Sequence, residues 1–283
     1  MKQFLTIFVL LVLASCNGGR QAENKPVLTV SIEPLRFFTE ALAGDKYNVV
    51  SMVPAGSNPE TYDPTPQQLV SLSQSAAYLS IGHIGFEQAW MDRIKANIPD
   101  MPVFDTSKSV ELAEGHAHGD MQTDPHIWNS TRNARIIAQN IFRTLCKLDE
   151  TNTSYYRERL DSLNHRIERT EQTIKALLPE ADTAFLIYHP ALTYFARDWG
   201  LRQICIEDEG KEPSPSHLQA LIQEAREAKV RTIFIQQEFD TRNAQAIAKE
   251  SGAKPVTINP LSYDWEEEMI NITRALTHYN GMK

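Results

Sequence analysis

One long amphipathic segment divides the chain into two similar parts. It is TSYYRERLDSLNHRIERTEQTIKALLP, residues 153–179. Apolar positions recur along it at spacings of three and four, which predicts a single α-helix of roughly seven turns ended by Pro179. The buried stripe is expected to consist of Tyr156, Leu160, Leu163, Ile167, Thr170, Ile174 and Leu177. A coiled coil would show the same spacing, but the segment stands alone and its stripe includes Thr170. We therefore interpret it as a rigid spine packed across both parts.

Short apolar runs rich in β-branched residues occur on both sides of this helix. They lie at 27–32, 47–53, 76–82 and 101–104 before it, and at 183–188, 202–206, 231–237 and 254–258 after it. Helix-like segments separate the runs, and this alternation is typical of an α/β fold. The sequence thus predicts an N-terminal α/β lobe at 27–150, an interlobe helix at 151–179 and a C-terminal α/β lobe at 180–283.

The first 16 residues, MKQFLTIFVLLVLASC, form an export signal. Lys2 precedes an apolar run that is too short to span a bilayer, as in a secretory signal peptide. The ending Leu-Ala-Ser-Cys resembles the lipobox of bacterial lipoproteins, which implies that Cys16 becomes the acylated first residue. We expect residues 17–26 to be a flexible tether. The protein is expected on the periplasmic side of the cell envelope, with its membrane contact through the lipid anchor.

The charge balance argues against a nucleic-acid partner. The chain has 36 acidic and 28 basic residues, a formal net charge of −8, whereas nucleic-acid binding needs basic patches. An acidic surface suits cation capture, although it also fits an ordinary soluble protein.

Polar side chains follow several of the predicted strands. Ligands in open α/β sheets bind at the carboxyl ends of the strands. Glu60 follows the second run, His189 directly follows the fifth, Asn259 directly follows the eighth, and His126 lies in the loop TDPHIWNSTRNA. Two imidazoles and a carboxylate suffice to bind Zn²⁺, with an amide oxygen or water as the fourth ligand. Taken singly, each His could equally be structural and Glu60 could bond amides of its own turn, so spacing alone leaves the site open.

Four motifs carry a more specific signal. PAGSNPETYDPTP resembles the loop P-x-G-x-x-P-H-x-Y-x-P-T of the solute-binding lipoproteins of bacterial zinc and manganese ABC importers. DPHIW is similar to their D-P-H-x-W, YHPALTYFARDWG to their H-x-A-x-x-Y-F-A, and INPLSYDW to their D-P-L. The motifs keep the family's order over nearly the whole chain.

The resemblance implies two parallel four-stranded β/α lobes joined by a long helix, in a protein that is not an enzyme. One divalent ion would be held in the interlobe cleft by a monomer and passed to an ABC permease in the membrane. His126 and His189 match the family's ligands directly. Glu60 stands where the first ligand is usually His, and Asn259 where the last is often Asp. The predicted ligands are therefore Glu60, His126, His189 and Asn259, with Zn²⁺ favoured over Mn²⁺ as cargo.

Four further side chains are possible accessory ligands. EGHAHGD resembles a short form of the His-rich loop found in zinc members of the family, so His116 and His118 could bind the ion transiently. Glu238 and His83 each follow a predicted strand. Because Glu60 and Asn259 depart from the family's motifs, the cargo could also differ from zinc and be manganese, iron or a metal chelate. A metallohydrolase is the remaining alternative, but no H-E-x-x-H motif is present.

Overall fold

The computed structural model describes residues 25–115, 123–207, 211, 213–237 and 242–277. Within these ranges strands and helices alternate along the chain, apart from two consecutive long helices in the middle. In order they are β1 (Val27–Val30), α1 (Glu33–Ala43), β2 (Asn48–Ser51), α2 (Pro66–Leu72), β3 (Ala77–Ser80), α3 (Gly85–Asn97), β4 (Val103–Asp105), α4 (Thr131–Leu148), α5 (Thr153–Leu177), β5 (Ala184–Ile187), α6 (Thr193–Trp199), β6 (Arg202–Cys205), α7 (Pro215–Glu227), β7 (Thr232–Gln236), α8 (Arg242–Ser251), β8 (Lys254–Ile258) and α9 (Trp265–Leu276).

The strands form two separate four-stranded sheets in which all described pairings are parallel. The first has the order β2-β1-β3-β4 and the second β6-β5-β7-β8. Because all strands of a sheet run in the same direction, their carboxyl ends meet along one edge, where polar residues can face a ligand. The prediction of two parallel four-stranded lobes is confirmed, while the exact domain boundaries stay a prediction.

Helix α5 joins the two halves. Its buried residues are Tyr156, Leu160, Leu163, Ile167, Thr170 and Ile174, which is the predicted stripe apart from the half-buried Leu177. The helix packs on α1 and α4 of the first half and on α9 of the second. Arg159 donates to the carbonyl of Ala41, and Arg166 binds both carboxylate oxygens of Glu266 at 2.9 Å. One helix therefore contributes to both halves of the molecule.

The larger hydrophobic core is continuous between the halves. It includes Phe38 of α1, Trp128 ahead of α4, Phe195 of α6 and Trp265 of α9, each at most 2 % exposed. A second, smaller core of buried residues packs elsewhere around the second sheet. No helix in the described ranges combines the length and the apolarity needed to cross a membrane.

Candidate metal centre

Glu60, His126 and His189 line one cavity between the two sheets. Its volume is about 20 Å³, close to the space that a single water molecule or ion needs. His126 is 4 % and His189 is 6 % exposed, and their ring centroids are 5.1 Å apart. The remaining lining residues are Asn58, Pro59, Trp128, Ala191, Gln236, Pro260 and Leu261.

Glu60 is held on its loop by backbone contacts to α3. Its own amide donates to Oδ1 of Asn58 at 2.9 Å, and Oε2 accepts the amide of Gly85 at 2.9 Å. The amide of Phe86 donates to the carbonyl of Pro59 at 2.8 Å. The carboxylate thus lies at the N-terminus of α3, where unpaired amides and the helix dipole stabilise negative charge.

His126 is oriented by Asp124. Oδ1 of Asp124 accepts the backbone amide of His126 at 2.8 Å and lies 3.0 Å from its Nδ1. A carboxylate at Nδ1 selects the tautomer with the proton on Nδ1, which puts the lone pair on Nε2. This is the carboxylate–histidine pair found behind many metal-binding imidazoles.

His189 has the same kind of partner in the other half of the molecule. Its Nδ1 lies 2.6 Å from Oε2 of Glu207. The side chain of Gln236, at the end of β7, fixes the backbone of His189. Its Nε2 donates to the His189 carbonyl at 2.6 Å, and its Oε1 accepts the His189 backbone amide at 3.2 Å. Three carboxylates therefore lie around the two imidazoles, an arrangement that attracts a cation. They belong to Glu60, Asp124 and Glu207.

The loop that carries His126 is bonded to the second half of the molecule. Tyr194 donates its hydroxyl proton to the Asp124 carbonyl at 2.6 Å, and burial raises the pKa of Tyr194 to about 12, so the hydroxyl stays a neutral donor. The indole of Trp128 donates to the Pro260 carbonyl, and that of Trp265 donates to the Trp128 carbonyl, both at 2.8 Å. The loop that carries His126 is thereby fixed to the half of the molecule that carries His189.

Asn259 lies outside the cavity lining. Its side-chain Oδ1 accepts the backbone amide of Leu261 at 3.1 Å within its own turn. Its backbone amide donates to Oε1 of Glu268. His83 also lies outside the lining, in the turn between β3 and α3. Metal coordination by Asn259 and an accessory role for His83 stay predictions. Cys16, His116, His118 and Glu238 lie outside the described residues.

Within the described ranges, no three His, Cys, Asp or Glu side chains are grouped as a complete metal-binding cluster. Glu60, His126 and His189 share a cavity, but they are not arranged there as a finished coordination sphere. The sequence missed the roles of Asp124 and Glu207. The acid two residues before His126 is the available signal for Asp124, whereas nothing in the sequence distinguishes Glu207 from other acids near strand ends.

Comparison with known proteins gives the family. Residues 28–279 match the family model described as zinc-uptake complex component A, periplasmic. The chain belongs to this family. It is a family of metal-binding components of ABC transporters rather than of enzymes, and the match confirms the relationship that the four motifs predicted.

Relatives in this family differ in the metal that they bind. The manganese ABC transporter substrate-binding lipoprotein PsaA of Streptococcus pneumoniae is 27% identical over 267 residues, which cover 87% of this chain and 85% of PsaA. The zinc-binding lipoprotein AdcA of the same species is 26% identical over 91% of this chain and 54% of AdcA. A crystal structure of ZnuA superposes with a TM-score of 0.85 at 36% identity, covering 90% of this chain and 99% of that one.

Proposed function

We propose that this protein is an extracytoplasmic carrier that captures Zn²⁺ in the cavity and delivers it to an ABC permease. The observation that carries the proposal is the convergence of Glu60, His126 and His189 on one cavity of ion size. Each imidazole is backed by a carboxylate at Nδ1, and we propose that Glu60 and the two Nε2 atoms are the ligands, with water at the fourth place.

The donor set favours zinc over manganese. Two imidazole nitrogens and one carboxylate suit a borderline cation with four ligands, whereas Mn²⁺ prefers oxygen-rich sites with six ligands. For the same donors, Zn²⁺ also binds more tightly than Mn²⁺ in the order of divalent metal affinities. Since named relatives include a manganese binder and a zinc binder, the argument for zinc rests on the donors of this chain.

The size of the cavity favours a bare ion over a metal chelate. Its volume is about 20 Å³, whereas pockets for organic ligands typically measure about 300–1,000 Å³. A chelate would require the two halves to separate and the cores beside the cavity to open.

Titration of the purified protein with Zn²⁺ tests the proposal. We expect one ion per chain, and loss of binding when His126→Ala and His189→Ala are combined, because one carboxylate alone is a weak ligand. His165→Ala is the matched control, since His165 is exposed on α5 and the ion should bind to this variant as to the wild type. Absence of Zn²⁺ binding tighter than micromolar, or undiminished binding by the double variant, would refute the proposal.

Competition between metals tests the choice of cargo. We expect Zn²⁺ to displace bound Mn²⁺ at equal concentrations, and the displaced metal can be counted by mass spectrometry. Displacement in the reverse direction would assign the protein to manganese, with the same cavity and a different cargo.

We further propose that a lipid on Cys16 anchors the carrier to the membrane beside its permease. The support is the Leu-Ala-Ser-Cys ending of the export signal and the lipoprotein description of PsaA and AdcA. Cys16→Ala should lose the lipid-modified N-terminal peptide that mass spectrometry detects in the wild type, while its Zn²⁺ affinity stays unchanged. A wild-type protein without lipid on this peptide would contradict the anchor.

A further inference from the structure

Glu87 is a buried carboxylate close to the proposed ion site but outside the cavity lining. It is the third residue of α3 and is 5 % exposed. Its Oε1 accepts the amide of Ile81 at 3.1 Å, and its Oε2 accepts the amide of Gly82 at 2.7 Å. Ser31 donates its hydroxyl proton to the same carboxylate, and the hydroxyl of Tyr78 lies 3.4 Å from Oε1.

This carboxylate has no cationic partner among the described residues. Burial raises the pKa of Glu87 to about 7, although the hydrogen bonds from Ser31, Gly82, Ile81 and Tyr78 act in the opposite direction. Tyr78 is the titratable group that faces it, and burial raises the pKa of that phenol as well. A buried acid with no counter-charge is costly compared with an apolar residue, and such groups concentrate at functional sites.

The turn held by Glu87 is unusual in its backbone. Gly82 and His83 follow one another with φ of 77° and 66°, and a residue other than glycine with positive φ is strained. The hydrogen bonds to the amides of Ile81 and Gly82 fix the start of this turn.

The end of the same turn contacts the proposed ligand. The amide of Gly85 donates to Oε2 of Glu60 at 2.9 Å, and the next amide, of Phe86, donates to the Pro59 carbonyl at 2.8 Å. A continuous path of hydrogen bonds and short backbone therefore runs from Glu87 through the 81–85 turn to Glu60.

We propose that Glu87 is a positioning residue for the ion site. It holds the 81–85 turn in the shape that fixes the Glu60 carboxylate, and so sets cation affinity without touching the cation. This inference rests on the proposed function. It also predicts that glutamine cannot replace Glu87. Each carboxylate oxygen accepts one backbone amide, whereas the glutamine side chain has a single acceptor oxygen for the two amides. If the glutamine nitrogen faces Gly82, the N–H of Gly82 meets another donor; if it faces Ile81, the N–H of Ile81 keeps only the Ser31 hydroxyl, 3.1 Å away.

A double-mutant cycle tests the link to Glu60. Zn²⁺ is titrated into the wild type, Glu87→Gln, Glu60→Gln and the double variant. We expect Glu87→Gln to weaken binding roughly tenfold, the lower range for partners outside the coordination sphere. In the Glu60→Gln background the same substitution should have little further effect, since the position of the carboxylate no longer matters. Unchanged binding in Glu87→Gln, or an equal loss in both backgrounds, would overturn the inference.

Asp182→Asn is the matched control for loss of a buried acid. Asp182 is 8 % exposed, precedes β5 at the amino end of the second sheet, and pairs with Arg231. We expect this variant to lose stability while its Zn²⁺ affinity stays that of the wild type. An affinity loss here as large as in Glu87→Gln would show that the effect is general and would overturn the positioning role.

Hydrogen exchange without any metal tests the same inference independently of the proposed function. Amides in 81–86 should exchange faster in Glu87→Gln than in the wild type, while those of the second sheet stay unchanged. If the wild type binds no Zn²⁺, the proposed function fails, but the exchange result still decides whether Glu87 holds the turn. Unchanged exchange in 81–86 overturns the inference. Ser31→Ala, which removes one donor to the carboxylate, should give a smaller change in the same direction if Glu87→Gln does not fold.

Discussion

Gly85 shows how closely the proposed ligand loop approaches α3. A Cβ at this position would lie 2.4 Å from the carbonyl oxygen of Glu60 and 2.9 Å from its Oε2. Real Cβ atoms do not approach backbone oxygens so closely, so a side chain here has to displace the loop. The absence of a side chain at Gly85 is therefore what allows the Glu60 carboxylate to reach the helix N-terminus.

Gly85→Ala is expected to weaken Zn²⁺ binding about tenfold, which is about 1.4 kcal/mol, because the added methyl group pushes Glu60 away from the imidazoles. Calorimetric titration measures the change. Gly252→Ala is the control: its φ is +81° with nothing within 4 Å of the added Cβ, so it should lose about 1 kcal/mol of stability and keep its affinity. Tight binding by Gly85→Ala would contradict the placement of Glu60.

Glu87 also predicts how stability depends on pH. Burial raises its pKa in the folded state to about 7 from 4.5, so the folded protein holds this proton more tightly than the unfolded chain. The contribution of this protonated group to the free energy of unfolding is complete below pH 4.5 and is lost as the pH rises to 7. The total loss is on the order of 3 kcal/mol. The free energy of unfolding of the wild type, relative to Glu87→Gln, should fall across this window in urea titrations. A constant difference would contradict the raised pKa.

Residues at strand ends were the most predictable part of the site. Glu60 and His189 follow strands of parallel sheets, and the carboxyl ends of such strands meet at one edge whatever packs around them. The same argument selected Asn259, whose side-chain oxygen accepts the Leu261 amide and which is not among the residues that line the cavity, so its role as a ligand stays a prediction. A strand end locates the backbone, whereas the direction of the side chain depends on local turns.

Contacts between side chains distant in sequence could not be predicted. Glu207 lies 2.6 Å from Nδ1 of His189 across 18 residues, and Glu87 reaches Ser31 across 56. Both contacts depend on rotamers chosen by the packed core, and an acid at a strand end looks the same in sequence whether it contacts solvent, an amide or an imidazole.

At the scale of elements, helix α5 was predicted from periodicity alone because its core-facing stripe is long and regular. The structure ends the α-helix at Leu177 and continues with a 3-10 turn over Leu178–Glu180. Pro179 explains this ending, since it lacks the amide that an α-helix needs but is tolerated in the first turn of a new helix. The stripe packs against α1, α4 and α9, which favours the spine interpretation over a coiled coil.

Leu163→Ala in α5 is expected to destabilise the whole molecule by about 2–5 kcal/mol. Leu163 is 1 % exposed in the core shared by both halves, so the cavity left behind affects both together. A single cooperative transition at lower temperature in calorimetry would fit this. Leu177→Ala, at the half-buried end of the stripe, should cost less, and two separate transitions would contradict a shared core.

At the scale of the whole molecule, contacts shared by the two halves oppose a wide opening. Their common core is continuous, and the indoles of Trp128 and Trp265 donate across the boundary near the cavity. Separation would expose apolar surface and leave buried polar groups unpaired, which costs several kcal/mol. For the proposed carrier, small loop shifts around Glu60 would be a less costly way to admit an ion.

Small-angle X-ray scattering should therefore give the same radius of gyration with and without Zn²⁺, within experimental error. The physical reason is that α5 and the common core keep the halves in place in both states. A measurable compaction on adding Zn²⁺ would contradict this and would indicate hinged closure.

The 20 Å³ cavity also has a kinetic meaning for the proposed carrier. A compartment that admits a single ion makes delivery discrete, so each encounter with a permease transfers one metal ion or none. Import capacity would then be set by how many carriers are anchored in the envelope and how often each one is emptied. Raising the external metal concentration beyond saturation would bring no further uptake.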